Sequence, residues 1–235
     1  DLRSRTLGDP RGIAFANAGG WAIVSGMGSN NIIFIDRTGT RLQALDGSGE
    51  QPPVHVGQGP TGVAIDAADR VAYVLNRFDG SISTIDLATR TVTDTTQFFD
   101  PTPAVIRNGR PFLFDTHLTS GLGQASCASC HVDARTDRLA WDLGNPAGSN
   151  NLSSFLDQNL GAGIPGLAPF GPGGAPFEPF HEMKGPMVTQ TFQDIIGHEP
   201  FHWRGDRTGL EQFNSTFPNL LGRETEIDLD QMQAF

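Results

Sequence analysis

The chain has 235 residues, of which 37% are hydrophobic and 29 are glycine, and its formal net charge is −10. This composition excludes a mainly disordered chain, and the acidic balance argues against a nucleic-acid partner, which would require a basic face. No apolar run reaches the ~18 residues that a membrane-spanning helix needs. We therefore predict a globular protein with no nucleic-acid partner and no membrane span.

The first hundred residues contain an internal repeat. Residues 10–36 and 60–86 align at an offset of 50, with nine of 27 positions identical. Apolar and polar residues alternate through both copies, and turn residues such as GSN and FDG separate the alternating stretches. Short alternating strands bounded by turns predict antiparallel β meanders, and repeats of this length are typical of propellers or solenoids.

The second copy also resembles a known repeat. Its stretch Tyr73-Val74-Leu75-Asn76 is similar to the propeller repeat named after its Tyr-Val-Thr-Asn signature. A plain antiparallel β domain is the alternative. Two units cannot close a ring of ~4–8 blades. We therefore expect further blades outside this chain, or docking of the two sheets on something else.

The pattern changes after Val92, and we place the domain boundary between residues 98 and 99. For residues 99–235 we predict a mainly α, loop-rich domain. From residue 161 to residue 186, 13 of 26 residues are Gly or Pro, which predicts a long ordered loop. The last predicted helix ends on an apolar residue without a cap, so we expect a truncated C-terminus. The helical stretches are predicted near residues 125–132, 151–160, 188–196, 208–216 and 225–235.

Both cysteines fall in the five-residue motif Cys127-Ala128-Ser129-Cys130-His131. CxxCH is the attachment signal of c-type haem. On a short helix, two cysteines three residues apart face the same side and can form thioethers to one porphyrin. The adjacent histidine then supplies the proximal ligand to iron. We predict one haem c, held covalently by Cys127 and Cys130 with its iron bound by His131.

Three other interpretations of the cysteine pair are weaker. A disulfide between residues three apart would close a very small loop and stabilise little. A zinc site would need a second ligand pair, and a thioredoxin-like motif would follow a strand in a βαβ unit. Neither pattern is present in the sequence. Because haem c is attached outside the cytoplasm, the motif also predicts a periplasmic or extracellular protein.

The flanks of the motif resemble the bacterial di-haem cytochrome c peroxidase family. The approach to CxxCH is similar at Gly109, Leu113, Phe114 and Asp115, followed by Leu118, Thr119 and Ser120. A second stretch resembles the Pro-Thr-Leu segment, the Phe-Trp-Asp-Gly-Arg motif and the acidic-Gln helix of that family. Its matching positions are Gly185, Pro186, Thr189, Thr191, Phe192, Trp203, Arg204, Gly205, Asp206, Arg207, Leu210, Glu211 and Gln212. Residues 99–235 would then be a cytochrome c or peroxidase-like haem domain.

The sequence also departs from that family. The family carries two haems, whereas this chain has one CxxCH motif, and WRGDR stands where the family has WDGR. The Glu-Met pair that supplies the catalytic acid is missing, and Glu224 and Glu226 are only the nearest carboxylates. These departures put peroxidase activity in doubt and leave haem binding untouched.

The resemblance also suggests further residues around the haem. His181 lies four residues before Gly185, where the family has its distal histidine, and we favour it as the sixth iron ligand. Met183 is the alternative, because a thioether ligand suits electron transfer. We expect Trp203 near the haem edge and a propionate paired with Arg204 or Arg207, although an Arg–Asp pair on a surface loop is the simpler interpretation.

Three functions follow from these expectations. The favoured one is an exported electron carrier that exchanges electrons with a redox partner protein or a second haem domain, within a larger chain or complex. The alternative is a haem peroxidase or oxygen-activating oxidoreductase of the di-haem type. The weakest is a binding protein in which the propeller recognises a partner and the haem is incidental.

Overall fold

The computed structural model of the chain describes residues 2–142, 186–203 and 205–235. These residues divide into two compact units: Asp1–Ser126 with Ala234–Phe235, and Cys127–Gln233. In the described part of the chain, no helix is both long and apolar enough to cross a membrane.

The first unit contains two four-stranded antiparallel sheets, each a meander in sequence order. Apolar residues alternate along the strands, and tight turns of Gly, Asn, Asp and Ser connect them, as the sequence predicts. The first sheet consists of β1 (Pro10–Phe15), β2 (Trp21–Gly26), β3 (Asn31–Asp36) and β4 (Val54–His55). The second consists of β5 (Pro60–Ile65), β6 (Val71–Asn76), β7 (Ser81–Asp86) and β8 (Thr91–Gln97).

The two sheets repeat each other in register as well as in sequence. The pairing of β2 with β3 recurs between β6 and β7 at an offset of 50, so Ile23↔Phe34 corresponds to Tyr73↔Thr84. Both sheets also carry an irregularity at the start of their first strand, after Pro10 and after Pro60. The predicted antiparallel meanders are therefore confirmed, and the sheets are consistent with part of a propeller.

The core of the first unit lies between the two sheets. Ile23, Ile32 and Phe34 of the first sheet pack against residues of the second sheet, and all of these side chains are buried. The members from the second sheet are Ala72, Val74 and Ile85. β-branched residues pack well on a pleated surface. Because these side chains are apolar, their burial between the sheets is the main force that joins the two sheets.

Two helices within residues 98–126 pack against the loops of both sheets. Helix α1 (Ala104–Phe114) packs its Phe114 ring at 4.7 Å from Phe78, in the β6–β7 loop. Helix α2 (Thr116–Thr119) begins where the Thr116 amide donates to the carbonyl of Gly28, in the β2–β3 loop. The sequence predicts no helix here, because Gly109 and Pro111 disfavour one. The packing of the helices against the loops outweighs the low helix propensity of Gly109 and Pro111.

The second unit contains short elements. Helix α3 (Cys127–Cys130) lies within the helix predicted near residues 125–132, and β9 (Ala140–Asp142) pairs with β10 (Pro186–Val188). Short helical turns follow in the C-terminal part, as predicted near residues 208–216 and 225–235; they occupy Leu210–Phe213, Thr216–Asn219 and Leu229–Ala234. A mainly helical haem domain stays a prediction.

One predicted helix is wrong. Residues 188–196 form the end of a strand followed by turns. The amides of Thr189 and Phe192 donate to the carbonyls of Leu139 and Ala134, so they are not available for helical bonds within their own segment. The helix predicted near residues 151–160 lies outside the described residues, as does the Gly- and Pro-rich loop up to residue 185.

Candidate haem-attachment site

The two cysteines lie on one turn of helix α3. Residues three apart on a helix are neighbours on the same face, so Cys127 and Cys130 face the same side. The amide of His131 donates to the carbonyl of Cys127 at 2.9 Å, which continues the helical turn into the histidine. Neither cysteine is in a disulfide. Each residue keeps part of its surface exposed, although the Cys127 thiol itself is desolvated by its surroundings. The CxxCH spacing therefore places two thiols and one imidazole on a single local scaffold.

The imidazole of His131 is held by a backbone acceptor far away in the sequence. Its Nδ1 lies 2.6 Å from the carbonyl oxygen of Gln190. A carbonyl can only accept, so Nδ1 carries the proton and Nε2 carries the lone pair. This second contact is the usual way in which proteins fix a metal-binding histidine. The lone pair on Nε2 of His131 is therefore available to bind a metal.

Two further contacts define the environment of His131. The ring of Phe192 stacks on the imidazole with centroids 3.8 Å apart and planes inclined by 21°, which fixes the orientation of the ring. Burial lowers the pKa of His131 below its ordinary value, against the opposing effects of the Gln190 carbonyl and the Asp137 carboxylate. The imidazole is therefore neutral at pH 7, which is the form that binds a metal.

Part of the second resembling stretch lies against His131. Strand β10 and the residues after it run along residues 134–142, where the Phe192 amide donates to the Ala134 carbonyl at 2.9 Å. Gln190 and Phe192, which contact His131, belong to this segment. The sequence marks Phe192 only through its resemblance. The contribution of Gln190 is made by its backbone, which leaves no signal in the sequence.

Trp203 lies next to this segment. Its indole Nε1 donates to the carbonyl of Val188 at 2.9 Å, while most of the ring is exposed. Beside it, Nδ1 of His202 lies 2.8 Å from a carboxylate oxygen of Asp206. Electrostatic repulsion from His202 adds a smaller contribution to the lowered pKa of His131. Trp203 thus contacts the segment whose later residues, Gln190 and Phe192, contact His131.

Arg207 carries an unsatisfied donor. Its backbone carbonyl accepts from the amide of Phe201 at 2.7 Å, while its Nε is buried and has no hydrogen-bond partner among the described residues. A buried guanidinium donor is costly to leave unpaired, so an anionic group at this position would stabilise the site. Arg204, His181 and Met183 lie outside the described residues, and the predictions for them stand as they were made.

The thiol of Cys127 has low nucleophilic reactivity in this fold. Burial raises the pKa of Cys127 to about 12. At neutral pH the group is therefore a protonated thiol and a poor nucleophile.

The arrangement of His131 and the cysteine pair is compatible with the requirements of a covalently attached haem. No group of three or more His, Cys, Asp or Glu side chains that could hold a metal ion occurs in residues 2–142, 186–203 and 205–235. A haem brings its own equatorial nitrogens and needs only an axial side chain and its covalent attachment points. His131 and the cysteine pair supply these, and the unpaired Nε of Arg207 suits an acidic substituent.

Comparison with known proteins adds little. No family model matches the chain, and no curated protein matches it. Among solved structures, the hydrazine synthase of Kuenenia stuttgartiensis is 21% identical with a TM-score of 0.34, over 40% of this chain and 24% of that one. The virginiamycin B lyase of Staphylococcus aureus is 15% identical with a TM-score of 0.30, over 40% of this chain and 28% of that one.

A putative 6-phosphogluconolactonase of Bacteroides uniformis is 11% identical with a TM-score of 0.30, over 37% of this chain and 26% of that one. The chain spans about a quarter of the length of each of these three structures.

Proposed function

We propose that the chain is an exported c-type cytochrome that passes electrons to or from a redox partner. One observation carries the proposal. Cys127 and Cys130 share one helical turn that continues into His131, and the Gln190 carbonyl holds the proton of His131 on Nδ1. Two thiols and an oriented Nε2 on adjacent residues are the requirements for covalent haem attachment with a proximal histidine.

When bound, the haem supplies a one-electron redox centre. The residues of the chain determine how it is held. Cys127 and Cys130 would tether it as thioethers, and Nε2 of His131 would bind the iron. The Gln190 carbonyl keeps the proton on Nδ1 and so increases the donor strength of Nε2. Phe192 keeps the ring in one orientation, which sets the angle at which the ligand approaches.

The remaining assignments rest on the family resemblance and on two contacts. The unpaired Nε of Arg207 supports a pairing with a haem propionate. The bond from Trp203 to Val188 supports a place for this indole near the haem. Arg204 is a second candidate for a propionate, and His181, or else Met183, is the candidate for the sixth iron ligand.

The partner and the location follow from the cofactor. A single haem can relay electrons only if a second redox centre lies near it, so we propose a redox partner protein or a further haem domain. Covalent attachment of haem c outside the cytoplasm places the protein in the periplasm or in the extracellular space. The two sheets would then be the part of a propeller that accompanies the haem domain.

The test is expression in a host that attaches haem c, followed by mass spectrometry and a pyridine haemochrome spectrum. We expect one covalent haem on the wild-type chain and none on a Cys127→Ala, Cys130→Ala double variant. His131→Ala should lose the low-spin spectrum. His198→Ala is the matched control, because this side chain is exposed, 68% by surface area, and its spectrum should not change. A colourless wild-type chain refutes the proposal.

The ferric spectrum separates the electron carrier from the peroxidase alternative. A low-spin spectrum that does not respond to cyanide or peroxide supports a carrier with two protein ligands on the iron. A high-spin spectrum that shifts with these additions would support an enzyme with an open iron position. The same measurement on His181→Ala tests the sixth ligand, and an unchanged spin state would favour Met183.

A further inference from the structure

Asp137 is a half-buried carboxylate on the segment between helix α3 and strand β9. Its Oδ1 accepts from the backbone amide of Leu139 at 2.9 Å, and its Oδ2 accepts from the indole Nε1 of Trp141 at 2.7 Å. The side chain of Thr189, which follows strand β10, also donates to it. One carboxylate therefore ties together the approach to β9, a side chain of β9 and the residue after β10.

These bonds keep the carboxylate ionised in spite of its burial. Burial alone would raise the pKa of Asp137, but the bonds from its three donors lower this pKa below its ordinary value. The three donors are an amide, an indole and a hydroxyl, all neutral, so they stabilise the negative charge without cancelling it. Asp137 thus provides a negative charge that is fixed in position.

The same network holds the residue next to Gln190. The backbone amide of Thr189 donates to the carbonyl of Leu139 at 3.2 Å, so Thr189 is bound to the Asp137 segment through its backbone as well as its side chain. The next residue, Gln190, presents the carbonyl oxygen that lies 2.6 Å from Nδ1 of His131. The position of that carbonyl therefore depends on how firmly Thr189 is held.

The charge of Asp137 also acts on His131 through space. The carboxylate raises the pKa of His131 electrostatically, against the larger lowering effect of burial. A fixed negative charge that stabilises positive charge on an imidazole also stabilises positive charge on a metal bound to that imidazole. Oxidised haem iron carries one positive charge more than reduced iron, so such a charge favours the oxidised state.

We infer that Asp137 is a positioning residue for the proximal side of the haem and that its charge lowers the reduction potential. It acts through other groups: through Thr189 it fixes the Gln190 carbonyl, and through its field it favours oxidised iron. The effect on the potential rests on the proposed function, whereas the fixing of the carbonyl does not need the haem. Asp137 lies outside both stretches that carry the family resemblance.

The first measurement tests the positioning role on the full chain as isolated. Exchange of the Nδ1 proton of His131 with water is followed by ¹⁵N-resolved NMR. Thr189→Val removes only the hydroxyl and should speed this exchange about fivefold, the effect of losing one ordinary hydrogen bond. Asp137→Ala removes all three bonds and should speed it about tenfold or more. Thr189→Ser restores the hydroxyl and should return the wild-type rate.

The second measurement tests the electrostatic role on the haem-loaded chain. Asp137→Asn removes the charge at nearly constant size. At a fixed ambient potential it should raise the ratio of reduced to oxidised haem about fivefold, or roughly 40 mV at about 59 mV per tenfold change. Asp137→Glu keeps the charge and should stay within about twofold of the wild type. Asp194→Asn is the matched control, because this side chain is 95% exposed and its charge is screened by water.

Each outcome decides one part of the inference. Equal exchange in the wild type, Thr189→Val and Asp137→Ala overturns the positioning role. If circular dichroism shows that Asp137→Ala does not fold, the comparison of Thr189→Val with Thr189→Ser decides it. A ratio in Asp137→Asn equal to that in Asp194→Asn overturns the electrostatic role, and so does an equal shift in Asp137→Glu and Asp137→Asn.

Mass spectrometry separates these results from the proposed function. A wild-type chain without covalent haem refutes the proposed function and, with it, the effect of Asp137 on the potential. The exchange of the His131 proton still decides the positioning role in that case, because it is measured with or without haem. A chain that carries haem but shows no shift in Asp137→Asn overturns only the electrostatic role.

Discussion

The two equivalent glycines of the sheets should respond in opposite ways to alanine. Gly12 and Gly62 occupy the same position of the repeat, two residues after Pro10 and Pro60. A methyl group at residue 12 would collide with the Thr61 carbonyl, which is backbone and cannot rotate away. A methyl group at residue 62 would reach only a side chain at ordinary contact distance. We therefore expect Gly12→Ala to destabilise the first unit and Gly62→Ala to be tolerated.

The magnitude follows from the contacts. Forcing extra volume into a packed interface costs about 1–3 kcal/mol. The bond from the Gly12 amide to Oγ of Ser25, 3.0 Å long, would also be strained, which adds about 1 kcal/mol. Gly12→Ala should thus lower the free energy of unfolding by roughly 2–4 kcal/mol. Gly62→Ala should raise it by up to about 0.5–1 kcal/mol, because alanine loses less backbone entropy in a strand than glycine.

The assay is thermal unfolding followed by far-UV circular dichroism, with both variants measured beside the wild type. At about 4 °C per kcal/mol for a unit of this size, Gly12→Ala should lower the midpoint by roughly 8–15 °C, and Gly62→Ala should raise it by a few degrees at most. A Gly62→Ala variant that is as unstable as Gly12→Ala would refute the difference in crowding between residues 12 and 62. An unchanged midpoint in Gly12→Ala would refute the close approach of β1 to β5.

Two further predictions concern protonation. Within the part of the chain that the structure describes, Nε2 of His117 is buried without a hydrogen-bond partner. Burial lowers the pKa of His117, against the raising effects of the Asp115 carboxylate and the Thr6 backbone, and His55 and Arg3 lower it further. Because this folded-state pKa lies below the unfolded value, its stabilising effect is complete above pH ~6.5 and is lost as the pH falls below it. His117→Gln should therefore flatten the decline of the thermal midpoint between pH 7 and pH 5, and an unchanged decline would contradict this. The second prediction concerns Cys127, whose thiol pKa of about 12 leaves few thiolates at pH 8. Iodoacetamide should alkylate it about 10- to 50-fold more slowly in the native haem-free chain than in the denatured chain, after allowance for the greater nucleophilicity of a more basic thiolate; equal rates would show that this sulfur is accessible.

The strands of the first unit could be predicted because their information is local. Alternation with a period of two decides which residues of a strand share a face, and turn residues at a fixed offset mark the strand ends. The CxxCH motif is local as well, since four residues of helix are enough to align Cys127 with Cys130. Helix α1 could not be predicted, because Gly109 and Pro111 oppose it locally and its contact with Phe78 is visible only in the fold.

The tertiary structure decided what the repeat and the motif leave open. The repeat makes Gly12 and Gly62 equivalent, and only the packing of the sheets shows that one is crowded and the other is not. The motif provides His131, and only the fold brings the Gln190 carbonyl, 59 residues later, to its Nδ1. A backbone carbonyl is the same in every residue, so no sequence pattern can identify the one that accepts this proton.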